Sequence, residues 1–309
     1  MKLIKILFLL VIVRTCSARI YQNVALRGKA TQSDRYNSDY GAASNAIDGN
    51  RESHYLAGSC AVTKEQTNPW WRVDLLDAYI VTSITITNRR DCCPERLDGA
   101  EIHVGNSLMD NGNNNPVVAR LPHIPAGRSL TITFSRQVEG RYVSVVLPGL
   151  NRLLTLCEVE VYGYHAPTGE NLALQGKATQ SSQHGSYRAS GAIDGNRNIE
   201  WSSCSHTQAN LNPWWRLDLR KTHRIFSVNV TNTISSSVRL NGAEIHIGDS
   251  LENNGNNNPR CAVITSIPPG FTQGFDCNGM DGRYVTIVIP GRTEYLHVCE
   301  VEVYGAVLD

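Results

Sequence analysis

Asn68-Pro69-Trp70-Trp71-Arg72-Val73-Asp74-Leu75 returns once, changed only at Leu217, as Asn212-Pro213-Trp214-Trp215-Arg216-Leu217-Asp218-Leu219. A long repeat has to be followed outward before any element is assigned. Upstream, AIDGN at 46–50 returns at 192–196, and NVALRGKATQS at 23–33 returns as NLALQGKATQS at 171–181. Downstream, LDGAEIHVG (97–105) returns as LNGAEIHIG (240–248), and GRYVSVVLPG (140–149) as GRYVTIVIPG (282–291). LCEVEVYG (156–163) returns as VCEVEVYG (298–305). The period is too long for a solenoid and describes a duplicated domain. The expected boundaries are domain 1 over 19–164, a linker over 165–169 and domain 2 over 170–309.

Within each copy the pattern is strand-like. Val81, Ile84 and Ile86 mix with Thr82, Thr85 and Thr87, and Phe226, Val228 and Val230 alternate with Ser227, Asn229 and Thr231. Clusters such as Asn111-Gly112-Asn113-Asn114-Asn115-Pro116 punctuate the runs. No long segment has helical periodicity. The expected fold class is all-β: two tandem antiparallel β-sandwich jelly rolls. Asn229-Val230-Thr231 is a glycosylation sequon, and strict alternation sets Asn229 on the face opposite Phe226 and Val228.

Among 309 residues the net charge is +1, with no Lys/Arg cluster, so nothing points to nucleic acid. Residues 1–18 read as a signal peptide: Lys2 and Lys5, an apolar run from Ile6 to Val13, then Cys16-Ser17-Ala18. That run is too short to span a bilayer, and no later one is long enough, so the expected product is secreted and extracellular, without membrane insertion. Removal of Cys16 with the leader leaves eight of nine cysteines, four in each half, as expected of a disulfide-braced secreted chain.

GKATQS, AIDGN, GSC, NPWWRVDL, the Cys92-Cys93 pair, GAEI and CEVEVYG together resemble the fucose-binding F-type lectins, and the resemblance covers both copies nearly end to end. It implies a discoidin-like β-sandwich with one shallow sugar site on loops at one end and a structural calcium nearby. The bridges expected on this footing are Cys60–Cys157, Cys92–Cys93, Cys204–Cys299 and Cys261–Cys277.

Asp48-Gly49-Asn50 is an oxygen-rich turn, and a Cys60–Cys157 bridge would draw Ser59 toward Glu158. Hard Ca²⁺ selects such carboxylate, hydroxyl and carbonyl oxygens. Carried over from the family, the ligands are the side chains of Asp48, Ser59 and Glu158, with backbone oxygens of Asn45, Asn50 and Cys157. The second copy offers Gly191, Asp194, Asn196, Ser203, Cys299 and Glu300; Gly191 replaces Asn45, which is tolerable if only the carbonyl is used.

The family's sugar motif is a His, 26 residues, Arg, any residue, Asp, four residues, then Arg or Lys. Domain 1 keeps Arg89, Asp91, Cys92, Cys93 and Arg96 at this spacing, but the His position is Val62. Arg supplies a rigid donor fork, Asp91 can hold an arginine in place, the adjacent cysteines imply a stiff platform, and Tyr55 is a candidate apolar wall. His54 is near in sequence but out of register. Domain 2 keeps His206 and Arg239, with Trp201 as candidate wall, but the first Arg is Thr233 and Asp-Cys-Cys is replaced by Ser235, Ser236 and Ser237, in a loop one residue shorter.

The functional expectation is a carbohydrate-binding lectin for fucosylated glycans on glycoproteins or microbial surfaces, with one Ca²⁺ per domain and a role in innate recognition. Assembly of identical chains is compatible with it. No nucleophile elbow or zinc helix is present, so an enzyme is not expected. The alternative is an adhesion or protein-binding module with degenerate sugar sites, since fold alone does not decide function.

Overall fold

The computed structural model describes residues 21–36, 40–200 and 203–308. The expected leader, residues 1–18, and Trp201 lie outside the described residues. Helical structure among the described residues is confined to short 3-10 turns.

Domain 1 contains β1 (Lys29–Gln32), β2 (Ala61–Val62), β3 (Trp70–Thr87), β4 (Glu101–Gly105), β5 (Val117–Arg120), β6 (Ser129–Val146), β7 (Thr155–Leu156) and β8 (Glu158–His165). Strand β3 pairs antiparallel with β6 along its length. Its other edge takes β1 near the start and β8 near the end. Strand β4 continues from β6 to β5. Domain 2 repeats the plan with β9 (Lys177–Gln180), β10 (Ser205–His206), β11 (Asn210–Leu211), β12 (Trp214–Thr231), β13 (Ala243–Gly248), β14 (Arg260–Ile264), β15 (Thr272–Val288), β16 (Thr293–Glu294), β17 (His297–Val298) and β18 (Glu300–Val307).

The repeated NPWWR(V/L)DL string explains much of this. Trp71 and Trp215 are buried, and their indole N–H groups donate to the carbonyls of Ala43 (2.9 Å) and Ala189 (3.0 Å). Both the apolar bulk and the one polar atom are thereby satisfied. Truncation of such a Trp to Ala costs about 3–5 kcal/mol. Asp74 accepts from Arg141 Nε (2.7 Å) and Nη2 (2.9 Å), and from the backbone of Leu76 (2.8 Å). Leu76 sits at φ 71°, where the β3–β6 register shifts between Asp74 and Tyr79. The acid thus ties the strand's bend to the Arg of the GRY motif. Asp218, Arg283 and Arg220 repeat the device.

Strict alternation does not hold along β12. A bulge between Ile225 and Ser227 resets the phase of β12. Ile225, Val228 and Val230 therefore point into the domain 2 core, while Phe226 leaves that face. Phe226 packs instead with Ile80, Tyr164, Ala306 and Leu308, a cluster built from both domains. Arg224, held by Asp281 (2.9 and 3.2 Å), lies 4.8 Å from the Tyr164 ring and 5.5 Å from Tyr21. Asn229 stands mid-strand and donates its side-chain amide to Glu302 (3.0 Å).

All four expected disulfides form: Cys60–Cys157, Cys92–Cys93, Cys204–Cys299 and Cys261–Cys277. Each stays within one domain.

Candidate functional site

Strands β2 and β7 pair Val62 with Thr155 at one end of domain 1. The loop after β3 comes over this pair. A cavity of about 240 Å³ opens there, lined by Tyr36, Tyr55, Val62, Arg89, Cys92, Arg96 and Leu153. Four candidates from the sequence, Tyr55, Arg89, Cys92 and Arg96, therefore converge, and the residue at the absent-His position faces the same space. Tyr36 and Leu153 come from distant segments and carried no spacing signal.

Arg89 is the most constrained of these side chains. Its Nε and Nη2 donate to Asp91 Oδ1 (2.9 Å) and Oδ2 (2.5 Å), and its guanidinium lies 4.6 Å from the Tyr55 ring centre. Asp91 also accepts from the Tyr55 backbone N–H (3.0 Å). The Arg89 hydrogen bonds hold the Asp91 carboxyl well below the usual carboxylate range. One fork edge is spent on Asp91, and the remaining N–H groups keep a fixed direction. Cys93 adopts left-handed backbone (φ 58°) at the start of the turn Pro94–Leu97, which carries Arg96. His54 does not enter the cavity; its Nδ1 accepts from the Leu56 backbone and caps the turn Tyr55–Ala57.

Domain 2 builds something different at the same place. His206 pairs with His297 between β10 and β17, as Val62 does with Thr155. The His206 ring lies 4.7 Å from His184, 4.4 Å from His297 and 5.3 Å from Tyr295. It is only 1% exposed. Its Nδ1 faces the Thr207 carbonyl (2.6 Å), so that nitrogen carries the proton; Nε2 then accepts from Arg239 Nη1 (3.4 Å). Burial pushes the imidazole pKa down and keeps it neutral. Arg239 also stacks 4.7 Å from Tyr295 and pairs with Glu294 (3.6 Å). Both His206 nitrogens are thus engaged within the protein. This histidine and tyrosine cluster was not anticipated. A position-by-position comparison of the repeats carries its signal: Tyr36 becomes His184, Leu153 becomes Tyr295 and Thr155 becomes His297.

The loop register needs one correction. Cys93 (φ 58°) corresponds in backbone to Ser236 (φ 60°), because each precedes the equivalent 3-10 turn. The cysteine pair therefore maps onto Ser235 and Ser236, and Ser237 occupies the position of Pro94. The residue removed comes from the Arg90-Asp91 stretch, so Asp91 has no serine replacement.

The expected calcium ligands also gather. Glu158 is buried, Oε1 accepts from the Gly49 backbone (3.1 Å), and Oε2 has no hydrogen-bond partner. Asn50 donates from its backbone to Asp48 (2.8 Å) and from its side chain to Ser59 Oγ (3.1 Å). Asn45 reaches the Cys60 carbonyl (3.3 Å). In domain 2, Glu300 accepts from Gly195 (3.0 Å) with Oε2 again orphaned, and Asp194 accepts from Asn196 (2.9 Å). A Cβ on Gly191 would stand 3.2 Å from the Ser203 carbonyl, so that backbone lies against Ser203-Cys204 and Cys299 is bridged beside it. Burial, with the neighbouring aspartate adding, pushes Glu158 and Glu300 up to about 7. A buried carboxylate oxygen without a donor is costly unless a cation meets it.

A loop-borne cavity on a β-sandwich, with two guanidinium donors, Arg89 held in place by Asp91, and an apolar floor, defines a small-ligand binding module. The family described as NedA-like, galactose-binding domain, of F5/F8 type C, matches residues 45–145 and 191–287, one span in each domain. A fucolectin from striped bass (Morone saxatilis) serum, solved by crystallography, is 69% identical; the match covers 94% of this chain and 100% of that one, with a TM-score of 0.91. Fucolectin-4 of Anguilla japonica is 52% identical over 145 residues, covering 46% of this chain and 80% of the eel protein. The fucolectin of Anguilla anguilla is 51% identical over 143 residues, 45% of this chain and 90% of its own. The eel proteins thus match one domain's length. The chain belongs to the F-type lectin (fucolectin) family, whose members are lectins and not enzymes, and it carries two of the family's domains in tandem. No helix among the described residues is long and apolar enough to cross a membrane.

Proposed function

We propose that this protein is a secreted lectin that binds fucosylated glycans mainly through domain 1, with one Ca²⁺ bracing each domain. The observation that carries the reading is the convergence of Arg89, Arg96 and the Cys92–Cys93 bridge on one cavity, with Arg89 fixed by Asp91. Two guanidinium forks supply donors to ring and hydroxyl oxygens of a sugar. The disulfide and Leu153 supply the apolar surface that a deoxy-sugar methyl group requires.

Asp48, Ser59 and Glu158, with the carbonyls of Asn45, Asn50 and Cys157, would hold the cation in domain 1. Gly191, Asp194, Asn196, Ser203, Cys299 and Glu300 would do so in domain 2. The orphaned oxygens of Glu158 and Glu300 support this assignment. The ion would supply local stiffness behind the sugar loops rather than chemistry. Glycans on glycoproteins or microbial surfaces would be the targets, in innate recognition, and bivalent display would raise avidity if both sites engaged one surface.

Calorimetric titration of the whole chain with a fucosylated trisaccharide and its fucose-free counterpart tests the reading. Binding of the first alone is expected; equal response to both, or to neither, would reject it.

A further inference from the structure

The domain 1 cavity has donors in excess. The side chains of Arg89 and Arg96 only donate, and those of Val62 and Leu153 offer no hydrogen-bonding group. A sugar hydroxyl that accepts from a guanidinium still has a proton to place. A neutral His could take it, but the family's His position is Val62.

Tyr55 lines the same cavity, is only 9% exposed, and its hydroxyl has no hydrogen-bond partner. An unpaired buried hydroxyl is unfavourable and calls for an explanation. Its ring is well fixed: the backbone N–H binds Asp91 Oδ1, Arg89 lies over the face, and Tyr40 packs 5.8 Å away. Burial raises the phenol pKa, so it stays protonated and can both donate and accept. Tyr36, the other phenol on the cavity, is 55% exposed and meets Tyr55 edge-on at 6.5 Å.

We infer that the Tyr55 hydroxyl replaces the missing histidine as the neutral hydrogen-bond partner of the bound sugar, with Tyr36 turning aside to admit it. This rests on the reading of the cavity as the fucose site. Asp91 then has two tasks, since it positions both Arg89 and the backbone of Tyr55. The hydroxyl is buried, so a neighbouring side chain has to shift for a sugar to reach it, and Tyr36, exposed and edge-on to the Tyr55 ring, is the one we assign to that movement.

The test uses the full chain with the domain 2 site disabled by Arg239→Ala, titrated with methyl α-fucoside and a fucosylated trisaccharide. Tyr55→Phe keeps the ring and removes the orphan oxygen. Its melting temperature should hold or rise while affinity falls about five- to thirtyfold, the loss of one hydrogen bond. Adding Val62→His to Tyr55→Phe should restore affinity. Unchanged binding by Tyr55→Phe overturns the inference and leaves the fucose reading intact. Weakened binding that Val62→His does not restore assigns the loss to packing, and also overturns it. A parent chain that binds no fucoside removes the underlying reading and the inference together.

Discussion

Arg89 and Asp91 form a two-pronged ion pair, Nε to Oδ1 at 2.9 Å and Nη2 to Oδ2 at 2.5 Å, at the mouth of the domain 1 cavity. The two side chains are only 11% and 19% exposed, so the pair is largely shielded from solvent. Its value lies in direction. Arg89→Lys would replace a planar fork by a point charge, losing the second prong and the stacked contact with Tyr55. Fucoside affinity should fall at least about tenfold, equivalent to about 1.4 kcal/mol, with melting little changed. Titration of the two proteins decides it; equal affinities would mean that Arg89 is only a solvated loop cation.

Calcium should stabilise both domains by mass action. At about a hundred times the dissociation constant the gain is about 2.7 kcal/mol per site. Titration of metal-free protein should give two ions per chain. Asp48→Ala should leave one, and hydrogen exchange should then show calcium protection only around 189–204. Identical melting with calcium and with chelator would remove the metal from the account.

Acid should weaken domain 2 through the buried imidazoles of His297, which burial pushes down to about 3, and of its neighbour His206. The folded pKa of each lies below the ordinary value of 6.5, chiefly because burial penalises the cation. As pH falls through 6.5 the unfolded chain takes the proton first, so stability present above that pH is lost below it. His206→Val, which installs the residue found at Val62, should flatten the decline in melting temperature between about pH 6.5 and 5. An unchanged slope would show that other groups govern the acid response.

The duplication and strand content were legible because each leaves a local or repeated mark, NPWW and the alternating β-branched runs; four cysteines per half implied bridges inside each domain, and the family resemblance supplied the pairing, since four cysteines allow three connectivities. Arg89, Asp91, Cys92 and Arg96 were picked out by the spacing of the motif that the resemblance implies, and that spacing survives because all four share one short loop. Tyr36 and Leu153 were not, since closure of the fold alone brings them to that loop. The Tyr55 hydroxyl is a matter of burial, which spacing does not encode. The phase of β12 failed at the Ile225–Ser227 bulge, where one extra residue sends Phe226 away from the Val228 face. The serine register failed because a deletion has no position until backbone angles supply it.

The two domains are expected to bind sugar unequally. Val62 leaves the first site open around two guanidinium forks, whereas His206 is already satisfied by Thr207 and Arg239 in the second. The most direct measurement is titration of the full chain with one fucosylated trisaccharide, comparing Arg89→Ala with Arg239→Ala. Arg89→Ala should abolish most of the binding heat, and Arg239→Ala should retain most of it. Equal losses from the two variants, or the larger loss from Arg239→Ala, would show that domain 1 is not the principal site.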